Sequence, residues 1–324
     1  MEFIEINQME GFCIGSSENS QAGTGCTVIL CPDGAACGVD VRGGGPASRE
    51  TELLKSTAAA DVIHAVALCG GSAFGLDAAG GVMRYLEERH IGFPTSVGVV
   101  PLVCASSIFD LACGDRQVRP DAAMGYAACV ASEANEPRPG NYGAGTGATV
   151  GKYAGMDRAM KSGLGICAAQ AGNLQVGAVV SVNALGDVYD RQGRILAGML
   201  TADRRGFANT VTAMLDEPEA ALEPGTTNTT IAAVMTNAAF PKAGMNKIAA
   251  LASNGLVRAI APVNTMADGD AVYALSVGAV QADINVVGTL AAQVLQEAIM
   301  QAVGAAGSAY GLPARRDLDW IHEA

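Results

Sequence analysis

EPGTTNTTIAAVMTNAAF, residues 223–240, joins two kinds of sequence that rarely sit so close. Glu223, Pro224 and Gly225 make a loop, four threonines follow, and the chain then enters an apolar, strand-like run. The composition of 229–236 marks a buried strand, yet the strand opens on Asn228, Thr229 and Thr230. One explanation is local: threonine favours strands and asparagine favours turns. The other is chemical, with Thr229 as a nucleophile. The stretch taken alone leaves both open.

Outward from this strand, short apolar runs alternate with helical patterns. GCTVILCPDGAACGVDVRGG, 25–44, predicts two strands around a Pro-Asp-Gly hairpin turn. DVIHAVALCGGSAFGLDAAGGVMRYLEERH, 61–90, predicts a strand, a Gly-Gly turn and a helix capped by Ser72. In that helix Phe74, Ala78, Val82 and Leu86 recur at near-helical spacing. Further strands are expected over 97–104, 164–169, 176–183, 229–236 and 271–278, and helices over 119–133, 241–258 and 283–304. Hairpins and strand–helix crossings together imply a mixed, layered α/β architecture. Residues 192–227 resemble a surface connection that delivers the chain to Asn228 and Thr229. The strand after it is too apolar to stand outside the main core, so 1–324 is taken as a single domain.

Composition narrows the function. Of 324 residues half are hydrophobic and 16% charged, enough for an extensive core. A net charge of −12, with no basic run, argues against a nucleic-acid partner. The first residues, MEFIEINQMEGF, are acidic where a signal peptide carries positive charge, and no unbroken apolar run suggests a membrane span. Nine cysteines, none in a CxxC pair, sit mostly in apolar runs, as do Cys26, Cys31, Cys69 and Cys104. Reduced thiols in a cytoplasmic protein are expected.

Several familiar motifs fail on inspection. GNYGAGTGATVGK, 140–152, lacks the P-loop glycine at 146 and the hydroxyl residue after Lys152. Glycine-rich backbone packed closely against something is the expectation there. GGSAFG around Ser72 has Phe74 where a nucleophile elbow needs glycine. The three histidines, His64, His90 and His322, lie in an apolar run, at a helix end and near the C-terminus. Neither a metal site nor a cofactor is expected.

Hydrolysis without histidine remains available. A threonine whose own α-amine is free can use that amine, which titrates near pH 8, as general base. The peptide bond before it must first be cut, and the same hydroxyl can attack the preceding carbonyl. Such chemistry calls for a flexible approach, a small or polar residue before the nucleophile and a rigid strand after it. LEPGTTN-TTIAAVMT supplies all three. Downstream, Asp268 and Asp270 stand two apart before another apolar strand, either as paired carboxylates or as a polar turn.

Together these segments resemble the L-aminopeptidase/D-esterase family, which includes β-aminopeptidases and nylon-oligomer hydrolases. The resemblance runs through GTGCTVIL, GVDVRGGGPASRETELL, CGGSAFGLDAAGGVMRYLEE, GAGTGATVGK, VGAVVSVNALGDV, NTTIAAVMTNA and NGLVRAIAPVNTMADGD. It implies a four-layer α/β/β/α sandwich of N-terminal-nucleophile-hydrolase type with its own connectivity. It also implies a self-inflicted cut between Asn228 and Thr229, giving chains 1–228 and 229–324 that stay together. Thr229 would be nucleophile and base, Asn183 the oxyanion donor, and Lys152, Asp268 and Asp270 their neighbours. Some members carry Ser and Glu at the last two positions, and some carry tyrosine where this chain has Phe109. The implied activity is hydrolysis of amide, peptide or ester bonds in small peptides or aminoacyl amides, by a cytoplasmic homo-oligomer of tetramer size or larger. The rivals are a self-processing acyltransferase like ornithine acetyltransferase, and a catalytically silent binding homologue.

Overall fold

The structure, a computed structural model, describes residues 1–219 and 227–318. The loop residues Glu223, Pro224, Gly225 and Thr226, and His322, lie outside the described residues. Eight strands and four helices carry the architecture. In chain order they are β1 (Cys13–Asn19), β2 (Thr24–Val41), β3 (Ile63–Cys69), α1 (Ala78–Glu87), β4 (Val103–Ser107), α2 (Ala122–Ala131), β5 (Leu164–Ala171), β6 (Leu174–Asn183), β7 (Thr229–Ala238), α3 (Lys242–Ala252), β8 (Ala271–Val280) and α4 (Ile284–Ala305).

They form two sheets joined by one strand. The N-terminal half of β2 pairs antiparallel with β1 and β3, and β3 pairs parallel with β4. The C-terminal half of β2 pairs antiparallel with β8, which continues through β7 and β6 to β5. The expected hairpin at Pro32-Asp33-Gly34 is therefore not formed. The register with β3 shifts between Leu30 and Ala35, Gly34 takes a φ of +84°, and the chain runs on as a bulged strand into the other sheet. The reason lies in the side-chain period of two. Ile29, Cys31, Ala35, Cys37 and Val39 all face one core, which a hairpin would have split.

Three apolar layers follow from this path. Between the sheets lie Ile14, Ile29, Val66, Leu68 and Cys104 from one side, and Ile166, Val179, Ile231, Met235, Tyr273 and Leu275 from the other. Val82, Leu86, Ala128 and Cys129 cover the outer face of the β1–β4 sheet. Ile248, Leu290, Val294 and Ile299 cover the outer face of the β5–β8 sheet together with Val180, Val182, Ala232 and Val234. The result is the α/β/β/α sandwich. By length and composition α4 is apolar enough to cross a membrane, but most of it is buried against the sheet.

Other departures have local causes. The strand expected over 97–104 is split at Pro101: Gly98–Val100 pairs with Phe93–Thr95, and β4 starts at Val103. Ser72 is not a helix cap. It takes a φ of +56°, opens a 3₁₀ turn, and its amide donates to the Ile108 carbonyl. The helix expected over 241–258 breaks into Lys242–Ala252 and Asn254–Ala259. The glycine-rich loop is packed as expected. A Cβ on Gly145 would lie 2.0 Å from the Leu164 nitrogen, and one on Gly151 2.1 Å from that of Met199. The approach segment holds more structure than expected, with a short strand Ile195–Ala197 and a helix Thr210–Asp216.

Candidate active site

Thr229 opens β7 and Asn183 closes β6, and the two are register partners. Thr229 shares the strand face of Ile231 and Ala233, and Asn183 that of Val179, so both positions belong to the inter-sheet side. Thr230 belongs to the opposite face, with Ala232 and Val234. Its hydroxyl is buried and has no hydrogen-bond partner among the described residues. The geometry separates the two neighbouring threonines, of which the family resemblance singles out Thr229.

The Asn183 carboxamide is held on both ends. Its Oδ1 accepts from Lys152 Nζ at 2.8 Å, from the Thr149 amide at 3.1 Å and from Thr149 Oγ1 at 3.2 Å. Three donors around one atom fix it as the oxygen. Nδ2 gives one of its two protons to the Phe109 carbonyl at 3.1 Å. That contact uses the backbone of Phe109 and does not depend on its side chain. The turn supplying the carbonyl is held by buried Asp110, which accepts from Thr24 Oγ1 at 2.7 Å and from the Gly71 amide at 2.6 Å.

Lys152 reaches this site through backbone pairing. Its amide donates to the Leu185 carbonyl and that of Gly151 to the Gly186 carbonyl, which places Lys152 beside the end of β6. Nζ donates to the Asn183 carbonyl at 3.1 Å and to Oδ1. Burial draws its pKa down to about 7, against the opposing pull of Cys113, Asp268, Asp270 and Asp110. A neutral amine has two N–H groups, enough for both bonds to Asn183.

Both aspartates are buried and act as acceptors. Asp270 Oδ1 accepts from the Thr230 amide at 2.6 Å and Oδ2 from the Asn264 amide at 2.9 Å. Burial, and then the neighbouring Asp268, push the Asp270 carboxyl upward. Asp268 Oδ2 accepts from Thr265 Oγ1 at 2.5 Å and from the Thr265 amide at 3.0 Å, while Oδ1 lies 3.4 Å from the Leu185 amide. The loop carrying the pair is latched from outside: the Gly45 amide donates to the Asp268 carbonyl at 2.8 Å. A Cβ on Gly43 would lie 2.3 Å from the Asp270 nitrogen.

The bond before Thr229 is clamped by the same loop. Asn228 forms a parallel bridge with Asp268; its amide donates to the Ala267 carbonyl, and its own carbonyl accepts from the Gly269 amide, both at 2.9 Å. The Thr229 hydroxyl also donates to that carbonyl oxygen. Thr149, Thr265 and Gly269 were not singled out from sequence, and Phe109 was noted for its side chain and not for the carbonyl it supplies. Thr149 and Gly269 adjoin motifs that were singled out, but a carbonyl or an amide proton leaves no trace in residue type.

His64 is a core residue, its Nδ1 accepting from the Leu102 amide at 3.1 Å. All nine cysteines are free thiols. Among the described residues no group of His, Cys, Asp or Glu could hold a metal ion.

Comparison with known proteins gives one answer along the whole chain. The model of peptidase family S58 matches residues 5–316. An uncharacterized aminopeptidase of Mycobacterium leprae (strain TN) is 40% identical over 319 residues, covering 89% of this chain and 84% of that protein. A 6-aminohexanoate-oligomer endohydrolase of Agromyces sp. (strain KY5R) is 30% identical over 309 residues, covering 90% and 84%. In structure, a Burkholderia sp. beta-aminopeptidase superposes with a TM-score of 0.70 at 19% identity, over 99% of this chain and 94% of that one. The L-aminopeptidase D-Ala-esterase/amidase of Ochrobactrum anthropi, described as a variant of the Ntn hydrolase fold, gives 0.72 at 17% identity, over 98% and 92%. The chain belongs to peptidase family S58, shares its Ntn-type fold, and is a hydrolase of the aminopeptidase and amidase kind.

Proposed function

We propose that the chain cuts itself between Asn228 and Thr229, and that Thr229, once terminal, hydrolyses amide bonds of small peptides or aminoacyl amides. The observation that carries this reading is the hydroxyl of Thr229, seated on the carbonyl of the residue before it and opposite Asn183. Thr229 is only 3% exposed, so in the uncut chain this hydroxyl faces its own backbone and not an incoming substrate. Cutting therefore comes before turnover.

In turnover the neutral α-amine of Thr229 takes the hydroxyl proton as Oγ attacks the substrate carbonyl, then returns it to the departing amine. The Nδ2 proton that Asn183 does not give to Phe109 is the donor for the developing oxyanion. Lys152 and Thr149 hold that carboxamide in position. Asp270 fixes the start of β7 through the Thr230 amide, and Asp268 orders the loop beside it. The relatives named aminopeptidases support small amides with a free amino end as substrates, and a relative named 6-aminohexanoate-oligomer endohydrolase supports amide bonds as the target.

Intact mass and a denaturing gel of fresh protein test the reading. Two pieces are expected, the smaller beginning Thr-Thr-Ile-Ala. A single uncut chain that still hydrolyses aminoacyl amides would defeat the mechanism, because an amide nitrogen cannot act as base.

A further inference from the structure

We infer that the self-cutting step has its own oxyanion donor, the backbone N–H of Gly269, distinct from the Asn183 carboxamide assigned to turnover. The inference rests on the reading of Thr229 as the self-cutting nucleophile. Among the described residues, two donors reach the carbonyl oxygen of Asn228: the Thr229 hydroxyl, which is the attacking group, and the Gly269 amide at 2.9 Å. Asn183 Nδ2 is instead directed at the Phe109 carbonyl. The second backbone bond, from the Asn228 amide to the Ala267 carbonyl, fixes the plane of Asn228 against the loop.

The two reactions cannot share one oxyanion position. In the cut, the electrophilic carbon is bonded to the nitrogen of Thr229, so attack closes a five-membered ring on that residue. In turnover the same nitrogen is a free amine, and the substrate carbon lies outside bonding distance of it. The oxygens therefore develop charge in different places and need different donors.

Residue 269 is suited to this by having no side chain. A Cβ there would lie 2.7 Å from Thr229 Oγ1 and 2.7 Å from the Gly45 carbonyl oxygen. Only glycine lets the amide and the hydroxyl approach one oxygen together. The step itself balances simply. Oγ bonds to the Asn228 carbon as the Asn228–Thr229 C–N bond breaks, and the hydroxyl proton goes to the departing nitrogen. Water then hydrolyses the ester, releasing the Asn228 carboxylate and restoring the Thr229 hydroxyl. The Gly269 N–H holds the oxyanion of the tetrahedral stage and is not consumed.

The test replaces Gly269 with glycolate by translational incorporation of the α-hydroxy acid, exchanging one N–H for an ester oxygen. The rate at which the Thr229-starting piece appears is then measured in freshly folded full-length chain. Loss of one preorganised oxyanion donor is expected to slow the cut by about 10²–10³-fold. Glycolate at Gly45 is the control, since it deletes an equally short bond to the same loop, at Asp268, without touching the scissile oxygen. That chain is expected to cut within about tenfold of the natural rate, well short of the loss expected for an oxyanion donor. Equal slowing of both ester chains, or normal cutting with glycolate at 269, overturns the inference while leaving Thr229 as nucleophile. A natural chain that never cuts at Thr229 overturns the underlying reading instead.

Discussion

Asn183 and Thr229 stand directly opposite each other on adjacent antiparallel strands, at the one end of the pair where both face the space between the sheets. The facing positions bring a candidate nucleophile and a candidate oxyanion donor together without any loop rearrangement.

The same alternation predicts unequal roles for the two threonines. Thr229→Ala should stay full length, with hydrolysis down by at least about 10²-fold. Thr230→Val should cut and turn over at a near-normal rate, because its backbone N–H to Asp270 survives the change. It also removes a buried hydroxyl that has no partner among the described residues, so its unfolding temperature should hold or rise. A gel and a thermal melt check both variants. A Thr230→Val chain that fails to cut would move the nucleophile to 230.

Stability should rise with pH just above neutrality. Burial lowers Lys152 and Lys161 to about 7, from 10.5 in the unfolded chain. Between those values the unfolded chain binds more protons, so raising the pH favours the fold by about 1 kcal/mol per pH unit for each lysine. Near pH 7 the raised carboxyl of Asp270, and from about pH 8 the buried thiols, whose pKa values are also raised, act in the opposite sense. Urea unfolding of the Thr229→Ala chain from pH 7 to 8 should show the slope, and Lys161→Met should cut it by at least about half. A flat profile in the parent chain refutes the prediction.

Asp187 ties down the segment that leads toward Asn228. It accepts from the Met199 amide at 2.7 Å, the Thr210 amide at 2.6 Å and Thr210 Oγ1 at 2.7 Å. Asp187→Ala leaves three buried donors unpaired, a loss of at least about 3 kcal/mol at roughly 1–3 kcal/mol each. Asp187→Asn, which keeps one acceptor, should lose about half as much. Equal melting of all three chains would mean that water replaces the carboxylate at no cost.

Thiol reagents and chelators should leave hydrolysis of an aminoacyl anilide intact. The proposed nucleophile carries its own base, and burial pushes the thiols of Cys104 and Cys167 up to about 12. Mass spectrometry after mild alkylation should find Cys13 and Cys167, the two half-buried thiols, modified first. Loss of activity with chelator, restored by zinc, would mean that the chemistry lies elsewhere.

The sequence by itself determined which segments are interior and which residue types could react. β6, β7 and β8 declare their burial because apolar residues occupy both faces. Thr229, Asn183, Lys152 and the two aspartates stand out as candidates only through the family resemblance of the segments that carry them. What it could not determine is who stands next to whom. Pro32-Asp33-Gly34 has the local chemistry of a hairpin turn, and long-range pairing with two different strands overrode it. Ser72 has the type of a cap but is held by the Ile108 carbonyl in a conformation that caps nothing. Gly269 resembles any turn glycine until its amide is found on the Asn228 carbonyl. Burial is a property of a segment's own side chains, legible one residue at a time. Hydrogen-bond partners and register are properties of pairs distant in the chain, and only the packed sheets fix them.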